Sequence, residues 1–414
     1  MRIVFLMVDS LRADAPGFAG GRCRTPTLDR LAQEGAAAKT ALSCSPWTVP
    51  SVAAMMTGVY GHRLGLYKWE QPWPKDHVSL FKHLAGSGYR VASFVFDPKH
   101  LFRSVQEAGV AGSSQNLDEV IEWLERCTDR NLFLFIHYWG THFPYLDKPM
   151  TIRAWKDVAD RVLGAMNADP AAVRPKVRSL YERAVERMSE RFLPRLARAA
   201  AMHSGAGEYL LLVVSDHGES WGERLAEGAR LRDVFDLHGN NLHEESLRVP
   251  LLFWGPEWLG GRRVDGMVRT VDIAPTLMEL AGVGEGFPDD GSAGIDGASF
   301  LASLKHGAPA RAPRSVASAS ADFLDKSEPP EDKEKLWVQF ALRTPRWKFL
   351  WWPASGKRAL FDLAKDPGEV LPLGTGSGEP EDGWRELEAE RERSRCAPPF
   401  DLAGERLRKM EYIE

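Results

Sequence analysis

The sequence predicts an α/β chain, with a largely parallel sheet sandwiched by helices and a small C-terminal α+β subdomain. Three observations carry the prediction. Five short apolar runs are rich in β-branched and aromatic residues, helical spacings separate most of them, and several runs end abruptly in polar clusters. Alternation of this kind builds a parallel sheet with helices on both faces, whose strands read as continuous apolar runs because both of their sides are buried.

The first run, "RIVFLMV", is followed directly by Asp9 and Arg12 and lacks a small-residue cleavage site, so it is a buried strand and not a signal segment. "TPTLDRLAQEGAA" and "SLFKHLAGSGY" repeat apolar residues every three to four positions and read as helices. "RVASFVF" reads as a strand, "NLDEVIEWLERC" as a helix and "NLFLFIHY" as a strand. Residues 151–203 break the rhythm with an Arg-, Ala- and Glu-rich stretch, read as one or two long surface helices whose charges form a solvated face. "EYLLLVVS" and "VPLLFW" are two more strands. Residues 284–335 are rich in Gly, Pro and acidic residues and read as loop, and "WVQFALRTPRWKFLWWP" with "RALFDLAKDP" reads as short antiparallel strands. The expected division is a catalytic α/β unit over 1–305, carrying a helical insertion at 151–205, and a small subdomain over 306–414.

Composition narrows the function classes. With 44% hydrophobic and 27% charged residues over 414 positions, this is ordinary globular composition. A net charge of −4 argues against nucleic acid as a partner while leaving room for a local basic pocket. No run approaches the ~18 apolar residues of a membrane span. Cys23, Cys44, Cys127 and Cys396 have neither metal-ligand spacing nor the density of a disulfide framework, so reduced thiols and a cytoplasmic location are expected. A homo-oligomer is compatible with all of this.

In an open parallel sheet, ligands bind beyond the carboxyl ends of the strands. Three polar clusters fall at such ends. The first strand runs into Asp9, "FLFIHYWG" runs into "THFPY" with His142, and "YLLLVVS" runs into "DHGESWG". Taken alone, an Asp in the place of Asp9 is more often a capping or turn residue than a ligand. The adjacent carboxylate and imidazole of Asp216 and His217, with Gly218 turning the backbone away, suit a divalent metal better than a cap.

The ordered set "VDSLRAD", "TPTLDRLAQEG", "SPWTVPSVAAMMTGVYGHRLG", "HFPY", "SDHGESWGE", "HGNNLHEESLRVPLLFWG", "VRTVDIAPTLMELAG" and "RALFDLAKDPGE" resembles the sulfatase branch of the alkaline phosphatase superfamily. The resemblance covers nearly the whole chain except the 151–205 insertion, and implies that family's fold and ester hydrolysis. Sulfatases convert a cysteine or serine of a C-x-P-S-R motif to formylglycine. Cys44, Ser45 and Pro46 imitate the motif, but Trp47 and Thr48 stand where serine and arginine belong. Aligning "PSVAAMMTG" with the family's "PSRAALLTG" instead puts Thr48 in the nucleophile position and Val52 in place of the arginine, and leaves Cys44 a buried apolar thiol.

The resemblance further implies Asp9, Asp216 and His217 as metal ligands, with Thr48 bridging metal and substrate. Thr48 also fits an N-cap. Ser10 stands where many sulfatases have a second ligating Asp, and His217 where several have Asn, so the implied cofactor is one divalent ion, Mn²⁺ or Zn²⁺ favoured and Ca²⁺ allowed. His142 matches a substrate-contacting residue that can protonate a leaving oxygen. His238 takes the place of a lysine that contacts the ester, and His243 replaces a tyrosine and reads either as packing or as a residue that supports the groups lining the site. Arg63 either holds an oxyanion or is a solvated surface residue.

Threonine cannot become formylglycine, so the expected reaction is attack by the Thr48 hydroxyl on a small anionic ester, followed by water attack on the esterified threonine. A phosphoryl-threonine is released by water more readily than a sulfo-threonine, which favours a phosphate or phosphonate ester over a sulfate ester. The alternatives are a sulfuric ester hydrolase, a phosphoryl or phosphoglycerol-type transferase, a two-metal enzyme using "THFPYLD" and "HGNNLH", and an inactive homologue that binds an anionic glycan.

Overall fold

A computed structural model describes residues 1–66, 79–96, 110–146, 152–205, 207–221, 223, 238–239, 241–283, 295–311, 314–320, 338–353, 355–373 and 380–394. Ten strands form the large sheet: β1 (Arg2–Val8), β2 (Ala36–Leu42), β3 (Arg90–Val95), β4 (Val110–Ser113), β5 (Leu132–Tyr138), β6 (Tyr209–Ser215), β7 (Arg248–Val249), β8 (Leu251–Trp254), β9 (Arg262–Arg269) and β10 (Ala310–Arg311). Their order is β10-β9-β2-β8-β6-β1-β5-β3-β4, with β7 beside β2. Pairing is parallel except around β7 and β8, which run against β2, with β8 also antiparallel to β6.

Strand β1 shows how the sequence makes the sheet. Every residue of Arg2–Val8 is buried, with Val4, Leu6 and Val8 in one core and Ile3, Phe5 and Met7 in the other. Side chains alternate across a strand, so a continuous apolar run serves two helical layers, at about 1.5–3 kcal/mol for each large side chain fully buried. The helices are α1 (Pro26–Glu34), α2 (Thr48–Thr57), α3 (Leu80–Gly86), α4 (Leu117–Arg126), α5 (Ile152–Ala168), α6 (Pro170–Arg187), α7 (Leu193–Ala201), α8 (Glu244–Leu247), α9 (Ile273–Ala281) and α10 (Leu301–His306), with α11 (Glu381–Arg393) near the C-terminal end.

The segment read as surface helices is a partner of the core. Tyr181, Ala184, Val185, Met188, Leu193 and Leu196 recur at helical spacing and are all fully buried. A π-helical turn at Met188–Phe192 joins α6 to α7, and its Ser189 hydroxyl accepts the amides of Thr27 and Leu28, capping α1, whose own N-cap Thr25 makes no side-chain cap. The loop expected over 284–335 is likewise corrected in part: 301–306 is helical, 310–311 extends the large sheet and 315–320 is a strand. Residues 284–294, 312–313 and 321–335 of that expectation, and Cys396, lie outside the described residues.

The second sheet is antiparallel, in the order β11 (Ser315–Ser320), β12 (Val338–Arg343), β13 (Trp347–Trp352) and β14 (Lys357–Asp362). Phe340, Phe349, Trp351 and Leu387 share a core with Cys44, Ala54, Tyr60 and Val271, and the Ser318 carbonyl accepts the Ser45 hydroxyl at 3.0 Å. The sheet therefore grips the segment that leads into Thr48.

A buried charge network ties the same sheet to α8. Lys348, fully buried on β13, reaches Glu244 at 3.0 Å and Glu369 at 3.5 Å, and Glu369 also accepts the Glu244 amide at 2.7 Å. Burial alone would raise the Glu369 carboxyl, but Lys348 and His243 hold it down at about 2. Its unfolded value is 4.5, so as pH falls the unfolded chain takes up this proton first. The stabilisation is present above the unfolded value and drains away as pH drops from about 4.5 to about 2. Thermal melts of Glu369→Gln are expected to lose less melting temperature than the parent between pH ~5 and pH ~3. Equal losses would exclude the network as the cause.

Candidate active site

Register brings the site together. Val8 stands opposite Tyr138 on β5 and Ser215 on β6, so Asp9, Trp139 and Asp216 all leave the sheet at one level on its carboxyl edge. Asp9, Asp216 and His217 are fully buried there, each offering one ligand atom, and these atoms lie within 4.8 Å of one another.

Atoms able to ligate a cation face one another in this cluster. His217 Nδ1 donates to the Gly218 carbonyl at 2.7 Å, which assigns the lone pair to Nε2, 3.4 Å from Asp216 Oδ2 and 3.7 Å from Asp9 Oδ1. Burial and the neighbouring His238 lower the His217 pKa to about 3, so its ring is neutral. Asp216 Oδ1 accepts the amides of Ser10 and His217, while among the described residues the buried Oδ2 has no hydrogen-bond partner. Burial and Asp9 push the Asp216 carboxyl far up. Asp9 is driven up by its own burial but pulled well below the ordinary range by His142, His137 and His217. A carboxylate oxygen and an imidazole nitrogen 3.4 Å apart, with the Thr48 hydroxyl beside Nε2 and Asp9 within reach, form a donor set that fits a divalent cation.

Asp9 lies in the turn that follows β1, and its carboxylate accepts from His137 Nε2 and the Ser10 hydroxyl, both at 2.8 Å. Thr48 is corrected from the N-cap reading: Trp47, in extended conformation, occupies that position and Thr48 is the first helical residue of α2. Pro50 lacks an N–H and needs no partner in the first turn. Thr48 Oγ1 lies 3.4 Å from His217 Nε2. Val52, where the family has arginine, is buried in the apolar core.

His142 and His238 face each other with ring centroids 4.8 Å apart, and His238 is 4.6 Å from His217. His142 is stacked on Trp139 at 3.7 Å, its Nδ1 donates to the Phe143 carbonyl, and burial lowers its pKa to about 3 despite the pull of Asp9. For His238 burial acts in the same direction, but Glu219, hydrogen-bonded to Nδ1 at 3.0 Å, lifts the pKa to about 9. Glu219 is in turn fixed by the Tyr145 hydroxyl at 2.9 Å and by its amide bond to the Glu245 carbonyl. Gly218 belongs to the same clasp: a Cβ there would sit 1.9 Å from the Glu245 carbonyl oxygen.

Arg63 is not part of this group. Its guanidinium is taken by Asp296 and Glu390, and no contact joins it to the cluster among the described residues. His243 Nδ1 lies 3.3 Å from Glu369, with its ring edge-on to Phe361. Among the described residues no second group of three metal-capable side chains forms. Cys44 is buried beside Thr270, its thiol pushed up to about 12 by burial. Sequence reasoning missed His137, Tyr145, Tyr181 and Glu219. A signal existed for His137, a lone polar residue inside the apolar run "FLFIHY", and for Glu219, two residues past His217.

A family model described as Sulfatase matches residues 2–283, and one described as N-sulphoglucosamine sulphohydrolase, C-terminal, matches residues 234–376. The ulvan-active sulfatase of Formosa agariphila is 24% identical over 353 residues, covering 74% of this chain and 65% of that protein. The chain therefore spans less than two thirds of that relative. Among solved structures, the phosphonate monoester hydrolase of Agrobacterium radiobacter superposes with a TM-score of 0.71 at 17% identity, covering 97% of both chains. A glycosaminoglycan-metabolism protein of Bacteroides thetaiotaomicron designated 4S-sulf gives 0.71 at 18% identity, covering 95% of this chain and 96% of that one.

Proposed function

Because the chain belongs to the sulfatase family, we propose that it is a metal-dependent ester hydrolase in which the Thr48 hydroxyl is the nucleophile and a phosphorus ester is the preferred substrate. The observation that carries the reading is the approach of Thr48 Oγ1 to His217 Nε2 at 3.4 Å, at the start of a buried helix and beside the Asp9 and Asp216 carboxylates. Asp9, Asp216 and His217 would hold one divalent cation, with Thr48 beside it. Such a cation, when bound, withdraws charge from the ester oxygens and lowers the pKa of a nearby hydroxyl.

The chain's own groups supply the rest. The N–H groups in the first turn of α2, which no side chain caps, would receive the anionic oxygens of the ester. Oγ1 of Thr48 bonds to phosphorus as the bond to the leaving oxygen breaks. Two imidazoles held in opposite protonation states are what two proton transfers require. Neutral His142 accepts the Thr48 proton, and cationic His238, oriented by Glu219, donates one to the leaving alcohol. Water then attacks the phosphoryl-threonine, giving a proton to His238 as the Thr48 oxygen leaves and recovers the proton from His142. This reverses the donor part that the sequence reading gave His142, and the support for the change is its neutral, buried ring.

A sulfate ester is the second reading, favoured by the likeness to the ulvan-active sulfatase. The discriminating test is turnover by metal-reconstituted protein of matched aryl phosphonate monoester, phosphodiester, phosphate and sulfate. A phosphorus ester is expected to be hydrolysed fastest. Clear preference for the aryl sulfate would sink the phosphorus reading.

A further inference from the structure

One side chain of the helical insertion reaches the loop that carries Asp9. Tyr181 of α6 is fully buried, edge-on to Tyr145 at 5.2 Å and to Trp221 at 5.0 Å. Its hydroxyl accepts the Arg12 amide at 2.8 Å and donates to the Ser10 carbonyl at 3.0 Å, so both of its hydrogen-bonding capacities are spent on the backbone of one loop. Ser10 has a φ of 57°, in the left-handed region that side-chain-bearing residues rarely adopt. In that conformation its amide points to Asp216 Oδ1 at 3.2 Å and its hydroxyl to Asp9 Oδ1 at 2.8 Å. A single strained residue thus orients both carboxylates, and surrounding structure must hold it there.

We propose that Tyr181 is a positioning residue for the cation site, acting through Ser10 to set the angle between Asp9 and Asp216. The proposal rests on the reading of Asp9, Asp216 and His217 as ligands. Tyr181 touches none of the three. Its influence is that of groups which orient metal ligands from outside the coordination shell, whose removal typically weakens metal binding about 10–100-fold.

The test is the affinity of the full chain for Mn²⁺, measured by competition with a graded chelator, in the parent, Tyr181→Phe, Ser10→Ala, the double variant and Val185→Ala. Phenylalanine keeps the ring packing and removes both hydrogen bonds. Affinity is expected to fall about 10–100-fold in Tyr181→Phe. The double variant is expected to lose clearly less than the product of the two single losses, since both act through one residue. Val185 is buried on the same helix and has no polar side-chain atom with which to hold the Ser10 loop, so Val185→Ala is expected to melt earlier with unchanged affinity. Parent-like binding by Tyr181→Phe, losses that multiply, or an equal loss in Val185→Ala would each overturn the proposal while leaving the cation site standing. Absence of Mn²⁺ binding in the parent would overturn both.

Discussion

Thr48→Ala is expected to cut turnover of an activated aryl phosphonate monoester by several orders of magnitude, while Cys44→Ala stays within a few-fold of the parent. Alanine at 48 leaves the helix end and the Asp9, Asp216 and His217 donors in place, so binding of the anionic ester survives. What disappears is the atom that forms the bond to phosphorus, and residual rate then reflects only positioning and electrostatic stabilisation. Thr48→Ser, which keeps a hydroxyl, is expected to recover a substantial part of the loss. Cys44 is the necessary contrast, because it stands where the formylglycine residue of the family would be sought. Its thiol is buried, held protonated at neutral pH and packed with Ala54, Tyr60 and Val271. Its replacement costs packing of roughly 1 kcal/mol and no chemistry. In the parent, acid quench during turnover should trap a phosphoryl mass shift on the peptide containing Thr48. Near-parent activity in Thr48→Ala, or equal losses in the two variants, would remove Thr48 from the nucleophile's place.

The parts of this site that lie next to strand ends could be read from the chain, and the parts that depend on packing could not. Asp9, His142, Asp216 and His217 follow apolar runs directly, and the parallel register that aligns Val8 with Ser215 turns adjacency in sequence into convergence in space. Tyr181 lies about 170 positions from Ser10 and meets it only because α6 packs on the sheet. The apolar spacing of α6 and α7 was visible, but the charges between those positions drew the reading toward a solvated face. Arg63 failed for a related reason. Its partners, Asp296 and Glu390, are more than 230 positions away, and nothing local distinguishes an arginine bound to distant carboxylates from one free to hold a substrate. Lys348 shows the same limit. A lysine in "RWKFLWW" looks like the polar face of an edge strand, whereas its ammonium is fully buried between Glu244 and Glu369.

Asp216→Asn is expected to abolish stoichiometric metal binding and, at the same time, to make the metal-free protein more stable than the metal-free parent. The two effects have one cause. In the parent, Asp216 and Asp9 are buried close together, and burial first and Asp9 second push the Asp216 carboxyl far up, so in the absence of a cation its charged form is disfavoured. A divalent ion favours that charged form and displaces a proton, so affinity falls as pH drops. Asparagine is nearly the same shape but is neutral without taking up a proton, and its amide places an N–H donor near His217 Nε2, where the parent has Oδ2 at 3.4 Å. Neutrality without a bound proton and one new hydrogen bond both stabilise the metal-free fold. Excess Mn²⁺ or Zn²⁺ should then raise the melting temperature of the parent, by the equivalent of about 2.7 kcal/mol at one hundred times the dissociation constant, and leave the variant unmoved. Elemental analysis of the purified proteins gives the same comparison directly: about one ion per parent chain and none in Asp216→Asn. Full occupancy in the variant would mean that the ion sits elsewhere. A metal-free variant melting below the metal-free parent would mean that Asp216 is held by a proton-sharing core and not by a site built for a cation.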